Sequence, residues 1–306
     1  MAMVSVIMNA YNSEKYIREA VQSVLKQTFT DFELLVYDNQ SNDGTMQVLR
    51  GFSDERLRYY KADFHTTLGQ ARNAAISRAT GKYLAFLDSD DRLPPNSLQI
   101  RVDRLSGDAN ASFLYGNYYV IDANGRRLKT GLKGKQPSGD AFLPFLLHYP
   151  VNLQTVLLSR EELLADGIEF NPELEVSEEF DLFMRFIRGK RVIYIPEALA
   201  EYRIHNCMTS VTSHALYPIE NKRILEMLLR LEPNLDSEHV EVCNAYRAKI
   251  AYWNARTAFF NDECLRARGF LWPFRFHKAT YYFLYLLTFL PSKFFRRIYR
   301  LRYSLG

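Results

Sequence analysis

Three carboxylates in four residues, Asp88, Asp90 and Asp91 with Ser89 among them, stand between apolar Phe86-Leu87 and Leu93-Pro94-Pro95. Like charges crowded this closely repel, and each raises the cost of ionising its neighbours. At the end of a parallel strand, where open α/β sheets put their ligands, such a cluster is most simply explained by a divalent cation that offsets the repulsion. The alternative is a solvated Asp-rich turn with a helix cap, and on this stretch alone both stay open. A second acidic group, Glu178, Glu179 and Asp181, crowds the start of a predicted helix. Acids there complement the positive end of the helix dipole, by about 0.3 to 1 kcal/mol each.

The elements that must position these acids alternate between strand and helix over the first hundred residues, which predicts parallel strands with crossover helices. Strands are expected at Val4–Met8, Phe32–Tyr37, Leu57–Lys61 and Tyr83–Leu87. Between the first two, Asn12 or Ser13 is expected to cap a helix whose apolar residues Ile17, Ala20, Val21, Val24 and Leu25 form one stripe. A helix over 45–51 follows the polar turn Asp38–Thr45. Another is expected over Gly69–Ala79, closed by Gly81 just past its last turn. Beyond Leu105 the pattern loosens into strands at Ser112–Ile121, Val156–Ser159 and Val192–Ile195. A hairpin turn is expected at Asp122–Gly125, a basic loop at Lys129–Gly139, and helices at Ala141–Leu147, Arg160–Gly167 and Ser177–Arg188. From about Leu216 the signals are helical only.

Of the 306 residues, 47% are hydrophobic and 24% charged, with only 14 Gly and 11 Pro, which excludes disordered and collagen-like chains. The 20 Tyr and 21 Phe imply a large aromatic core. Three scattered cysteines, Cys207, Cys243 and Cys264, have neither disulfide-framework nor zinc spacing and point to a reducing compartment. The net charge of +4 hides an asymmetry: after Glu263 come nine Lys/Arg and no acid, so residues 1–263 carry −5. A basic end seeks an anionic partner. Thirteen of the 34 residues from Phe270 to Tyr303 are aromatic, the composition of a membrane interface, which favours phospholipid and argues against nucleic acid. The longest apolar run, Ala279–Pro291, falls short of the roughly 20 residues that span a bilayer, so the tail is expected to lie on the membrane; the alternative is an amphipathic helix docked on the protein. Met1-Ala2-Met3 leads straight into the first strand without a basic leader, so the expected location is cytoplasmic, peripheral on the inner face of the membrane.

Five segments, in order and spacing, resemble the inverting family 2 glycosyltransferases of bacterial cell-surface polysaccharide synthesis: Val4–Asn12, Asp38–Thr45, Leu68-Gly69-Gln70-Ala71-Arg72-Asn73, Phe86–Asp91 and Glu178-Glu179-Phe180-Asp181. The resemblance covers roughly residues 4–210. It implies an α/β GT-A fold with a mostly parallel central sheet flanked by helices, plus a C-terminal helical extension. Residues 1–212 would be the catalytic domain, with 1–105 as its nucleotide-binding half and 106–212 as its acceptor half, and 213–306 would be helical and end in the membrane-associating tail. It implies transfer of a hexosyl or related group from a nucleotide-sugar donor to a hydroxyl of a lipid-linked or saccharide acceptor.

Carried over by position, Asn9, Ala10 and Tyr11 would line the base pocket, Asp38 would hydrogen-bond the base with Asn39 beside it, and Arg72 would brace the nucleotide. Asp88-Ser89-Asp90 matches the family's DxD motif: Asp88 would face the ribose or the metal's water shell, and Asp90 would ligate Mg²⁺ or Mn²⁺. Glu179 matches the position of the general base, where many members have Asp, and Asp181 is the second candidate. Tyr202-Arg203-Ile204-His205 resembles the late segment that closes over the diphosphate, with Arg203 gripping phosphate oxygens and His205 on phosphate or metal. Many members also have Pro at the position of Asn9 and Asp at that of Asn39. Two other functions are compatible with some of these residues. A metal-dependent nucleotidyltransferase would need a Gly-rich basic phosphate loop, which Asn9–Ser13 lacks. A catalytically inactive, membrane-recruited nucleotide-sugar binding protein would have no need of intact Asp38, Asp88, Asp90 and Glu179.

Overall fold

A computed structural model of the chain describes residues 2–205 and 213–291. It separates into two compact units, Met1–Met208 and Thr209–Gly306. The first is built on a nine-stranded sheet of order β3-β2-β1-β4-β8-β5-β9-β7, with β6 paired to β5. The strands are β1 (Val4–Ala10), β2 (Phe32–Asp38), β3 (Leu57–Lys61), β4 (Tyr83–Phe86), β5 (Ala111–Ile121), β6 (Arg127–Thr130), β7 (Gly139–Asp140), β8 (Leu157–Ser159) and β9 (Arg191–Arg203). From β3 to β4 all pairing is parallel, and β5 also pairs β9 in parallel; β8 is inserted antiparallel between β4 and β5. Strands β1, β2 and β4 are buried on both faces, which is why they read as largely apolar runs; the polar Ser5 and Glu33 within β1 and β2 are paired with each other at 2.6 Å.

Chain order reverses at β1, whose neighbours are β2 on one side and β4 on the other. A crevice opens beyond the carboxyl ends of strands at such a reversal. Into it run Tyr11-Asn12-Ser13 after β1 and Leu87–Asp91 after β4.

Helix α1 (Ile17–Leu25) buries Ile17, Ala20, Val21 and Val24 against this sheet, as its stripe predicts. Its expected side-chain cap is not made. The N–H groups of Tyr16 and Ile17 donate instead to the Ser13 carbonyl, at 3.1 and 3.0 Å. Asn12 and Ser13 serve the crevice: Asn12, at φ 49°, accepts from the Asn42 N–H at 3.0 Å, and the Ser13 hydroxyl meets that of Ser89 at 2.8 Å. Helices α2 (Thr45–Arg50) and α3 (Leu68–Ile76) complete the parallel half, α3 opening on a reciprocal Thr67/Gln70 cap. α3 stops short of Ala79, and Gly81 does not close it. Gly81 lies against β1, where an added Cβ would come within 2.5 Å of the Ser5 nitrogen, so close strand packing is what needs a glycine there.

Helix α4 (Ser97–Ser106) follows, then the mixed half of the sheet with α5 (Phe142–Leu147), α6 (Arg160–Ala165) and α7 (Glu178–Phe186). β9 runs 13 residues, far beyond the expected Val192–Ile195, because it pairs with β5 along almost all of β5 through irregularities near Gly116 and Asn117. That extension carries Arg203 back to the Asp88–Asp91 turn. Part of the expected basic loop is strand β6, paired antiparallel with β5 across the turn at Gly125.

The second unit is helical: Tyr217–Leu231, Leu235–Glu238, Val240–Phe260, Cys264–Leu271 and Ala279–Leu287. A small core gathers Ala255, Ala258, Phe259, Ala267, Leu271 and Leu287. Among the described residues no helix is long and apolar enough to cross a membrane. Cys207 and the basic run from Lys293 to Arg302 lie outside the described residues.

Candidate functional site

The three aspartates after β4 receive different partners. Asp88 is tied on both oxygens, by Arg72 at 3.0 Å and by the Gln154 amide at 2.6 Å. Asp90 meets His205 Nε2 at 2.8 Å and keeps about a third of its side chain exposed. Asp91 is buried, and its Oδ1 accepts the Arg203 N–H at 2.6 Å. Burial and the neighbouring aspartates push the Asp91 carboxyl well above the usual carboxylate range. Burial and Asp88 push Asp90 upward too, against the pull of His205. The cluster is thus one buried acid, Asp91, and two acids of similar partial exposure, of which Asp88 has both oxygens engaged and Asp90 meets the His205 ring.

Arg203 is sealed from solvent. Its guanidinium donates to the carbonyls of Asp90 (2.6 Å) and Ala123 (3.2 Å) and to the Glu19 carboxylate (2.8 Å), and it lies 4.5 Å over the Tyr16 ring. These bonds clamp the Asp88–Asp91 turn, and the guanidinium would have to leave them to reach a phosphate.

Arg72, presented by α3, joins two acidic groups that lie about ninety residues apart in sequence. Buried and 5.2 Å over the Phe170 ring, it bonds Asp88 and also Glu178, at 2.6 Å. The start of α7 is thereby tied to the turn after β4. Burial raises the Glu178 carboxyl, with Arg72 opposing. Glu179 accepts no hydrogen bond from any described residue; burial first, then Glu178 and Asp88, push it up to about 8. Asp181 is different: its Oδ2 is fixed by two hydrogen bonds from Arg185, at 2.5 and 3.0 Å.

On the other wall, β1 and β2 end in register, Ala10 opposite Asp38. Asp38 is fully buried, accepting from the Ser41 N–H at 2.8 Å and the Tyr59 hydroxyl at 2.7 Å. The Asn39 side chain forms a two-way amide pair with the Thr66 backbone, at 2.8 and 3.0 Å. Tyr11 is half-exposed with its ring 4.4 Å from His65, whose Nδ1 lies 2.9 Å from the Asn39 carbonyl. The Asn9 side-chain nitrogen is buried without a hydrogen-bond partner among the described residues. Gln154 and His65 complete the site beside Asp91. Gln154 and His65 carry no motif, and only the sheet order brings them here.

Among the described residues no cluster of three or more His, Cys, Asp or Glu is arranged as a ready cation cage. The donor set suits a hard cation that takes most of its ligands elsewhere. Asp90 offers a carboxylate next to a second acid, and Mg²⁺ in nucleotide sites is commonly held by one or two carboxylates, substrate phosphates and water.

A family model described as Glycosyl transferase family 2 matches residues 5–158. Over 122 residues the chain is 41% identical to UDP-Glc:alpha-D-GlcNAc-diphosphoundecaprenol beta-1,3-glucosyltransferase WfgD of Escherichia coli, a match covering 40% of this chain and 48%, about half, of that protein. It is 28% identical over 207 residues to the putative teichuronic acid biosynthesis glycosyltransferase TuaG of Bacillus subtilis, covering 67% and 80% of the two chains. Its fold is shared with S. aureus TarS residues 1–349, at 22% identity and TM-score 0.66 over 89% of this chain and 80% of that one. The same TarS segment in complex with UDP-GlcNAc aligns at 19% identity and TM-score 0.59, covering 97% and 92%.

Proposed function

We propose that this chain, which belongs to glycosyl transferase family 2, moves one sugar with inversion from a uridine-diphosphate donor to a hydroxyl of a lipid-linked saccharide. The observation that carries the reading is the Arg72 bridge, which holds a turn suited to the donor's diphosphate against a helix start bearing an acid without a hydrogen-bond donor. The uridine and the lipid-linked acceptor are carried over from WfgD, a UDP-Glc:alpha-D-GlcNAc-diphosphoundecaprenol beta-1,3-glucosyltransferase.

In the proposed reaction the acceptor oxygen attacks the sugar's anomeric carbon as the bond to the diphosphate breaks. The acceptor's proton passes to Glu179 and the nucleoside diphosphate leaves with the bonding electrons. Asp90, with His205 and Asp88 beside it, would hold Mg²⁺ or Mn²⁺, which supplies neutralisation of the charge gathering on the diphosphate. Asn9, Ala10 and Tyr11 would line the base seat, with Tyr11 offering its exposed ring for stacking. Asp38 and Asn39 would shape that seat by ordering Ser41, Tyr59 and Thr66. Ser89 would fix the loop after β1 through Ser13. Arg203 would keep the turn in shape.

Calorimetric titration with UDP, dTDP and GDP, each with and without Mn²⁺, tests the reading. UDP is expected to bind tightest, and more tightly with Mn²⁺. Equal or absent binding of all three would overturn it.

The second unit would hold the enzyme on the inner face of the membrane, where a lipid-linked acceptor is presented. Trp272, Phe276, Phe283 and Phe289 are exposed, and Arg275 lies 3.5 Å over Trp272 and 4.6 Å over Phe276, an amphipathic pairing suited to anionic head groups. Replacing Trp272 and Phe276 together by Glu should lower partitioning onto anionic vesicles about tenfold or more in flotation assays. Unchanged partitioning would return this surface to a purely structural role.

A further inference from the structure

Tyr149 follows α5, in the segment that leads through Gln154 into β8. Its hydroxyl is buried and has no hydrogen-bond partner among the described residues. Buried phenols normally find an acceptor, because an unmade bond leaves the group's desolvation uncompensated. The ring is held edge-on by Phe145 at 5.9 Å and by Phe180 at 4.8 Å, so the hydroxyl is fixed in place. Phe180 is the residue after Glu179. Burial and the carboxylates of Glu179 and Glu178 keep the phenol protonated far above the usual range, so towards an ionised acid it is a donor. Glu179, for its part, accepts from no described residue. A donor lacking an acceptor thus stands near an acceptor lacking a donor, on two elements packed together through an aromatic pair.

We propose that Tyr149 is the positioning residue of Glu179: its hydroxyl donates to one carboxylate oxygen of the ionised acid and leaves the other to face the incoming acceptor hydroxyl. The bond would form on a change of Glu179 rotamer as the acid ionises. The inference rests on the reading of Glu179 as the base. The other groups that act on Glu179 are Glu178 on the same helix, Arg72 from α3, Asp88 from the turn after β4, and Tyr118 from β5. Tyr118 is the natural control. Its ring is locked by Gly131, where an added Cβ would lie 2.3 Å from it, and it too is raised by Glu179.

The test follows the Glu179 carboxyl by infrared titration of the full chain, with Glu179→Gln subtracted to identify its band. Losing a donor to the charged form raises proton affinity. Tyr149→Phe should therefore raise the proton affinity of Glu179 about tenfold, and Tyr118→Phe should leave it nearly unchanged. UDP affinity should stay at the wild-type value in both. At about pH 6, where Glu179 holds a proton and the Tyr149 hydroxyl is unpaired, the melting temperature of Tyr149→Phe should hold or rise; a structural hydroxyl would lower it there instead. With UDP-glucose as donor and a prenyl-diphosphate-linked N-acetylglucosamine as acceptor, kcat of Tyr149→Phe at pH 7 should fall about tenfold. An unshifted Glu179 titration, or a shift in Tyr118→Phe alone, overturns the proposal. Normal transfer by Glu179→Gln would instead overturn the underlying assignment of the base.

Discussion

Replacing Glu179 by Gln is expected to slow sugar transfer by about 10² to 10⁴-fold, the usual contribution of a positioned general base, while donor affinity stays unchanged. Gln preserves length and shape but cannot take up the acceptor's proton. The wild-type pH profile should carry the same signature. Burial, Glu178 and Asp88 push the Glu179 carboxyl up to about 8, so below that pH it already holds a proton. A base must be ionised to act, so kcat/KM should climb with rising pH, inflect near that value and level off above it. An acid on its ordinary footing would give a plateau from about pH 6 upward. The competing candidate predicts otherwise. Asp181 is bound twice by Arg185, and Asp181→Asn, which loosens that pair, should cost far less activity than Glu179→Gln. The reverse order of effects would move the base to Asp181.

The parallel half of the sheet is legible in the sequence for a plain reason. Strands covered on both faces are largely apolar, so Val4–Met8 and Phe32–Tyr37 announce themselves despite Ser5 and Glu33, which pair with each other, and the stripe from Ile17 to Val24 announces the helix between them. β9 is not legible. Pro196, Glu197 and Glu201 interrupt any strand pattern, and only pairing with β5 keeps the segment extended. The same divide runs through the site. Asp88, Asp90 and Asp91 are visible as a cluster because they are close in sequence, yet which oxygens are already engaged depends on Arg72, Gln154, Arg203 and His205, all remote from them except Arg72. For Arg203 the resemblance of its segment implies a phosphate contact, whereas in this structure its buried guanidinium bonds carbonyls of the turn and Glu19, partners that are remote in sequence. Glu179 matches a motif and Glu178 stands beside it in sequence, whereas the burial that does most to raise its proton affinity, and Asp88 across the Arg72 bridge, exist only in the fold.

Asp90→Ala is expected to abolish the metal dependence of donor binding, so that UDP affinity with Mn²⁺ falls to the value measured without it. Coupling between two bound ligands is typically worth about 5 to 150-fold in affinity, which sets the size of the loss to look for. The choice of Asp90 over its neighbours follows from what each oxygen already does. Asp91 is sealed under Arg203, and both oxygens of Asp88 are engaged by Arg72 and Gln154. Asp88 and Asp90 are similarly exposed, but among the described residues Asp90 has only an imidazole at its Oδ2, and burial and Asp88 make its charge costly, a cost that a cation would offset. Asp88→Asn should behave differently. It keeps the size of the side chain but weakens the Arg72 bridge, so it should lower the transfer rate through the α7 helix as well as donor affinity. Retention of full Mn²⁺ dependence by Asp90→Ala, together with its loss in Asp88→Asn, would exchange the two roles and make Asp90 a bystander.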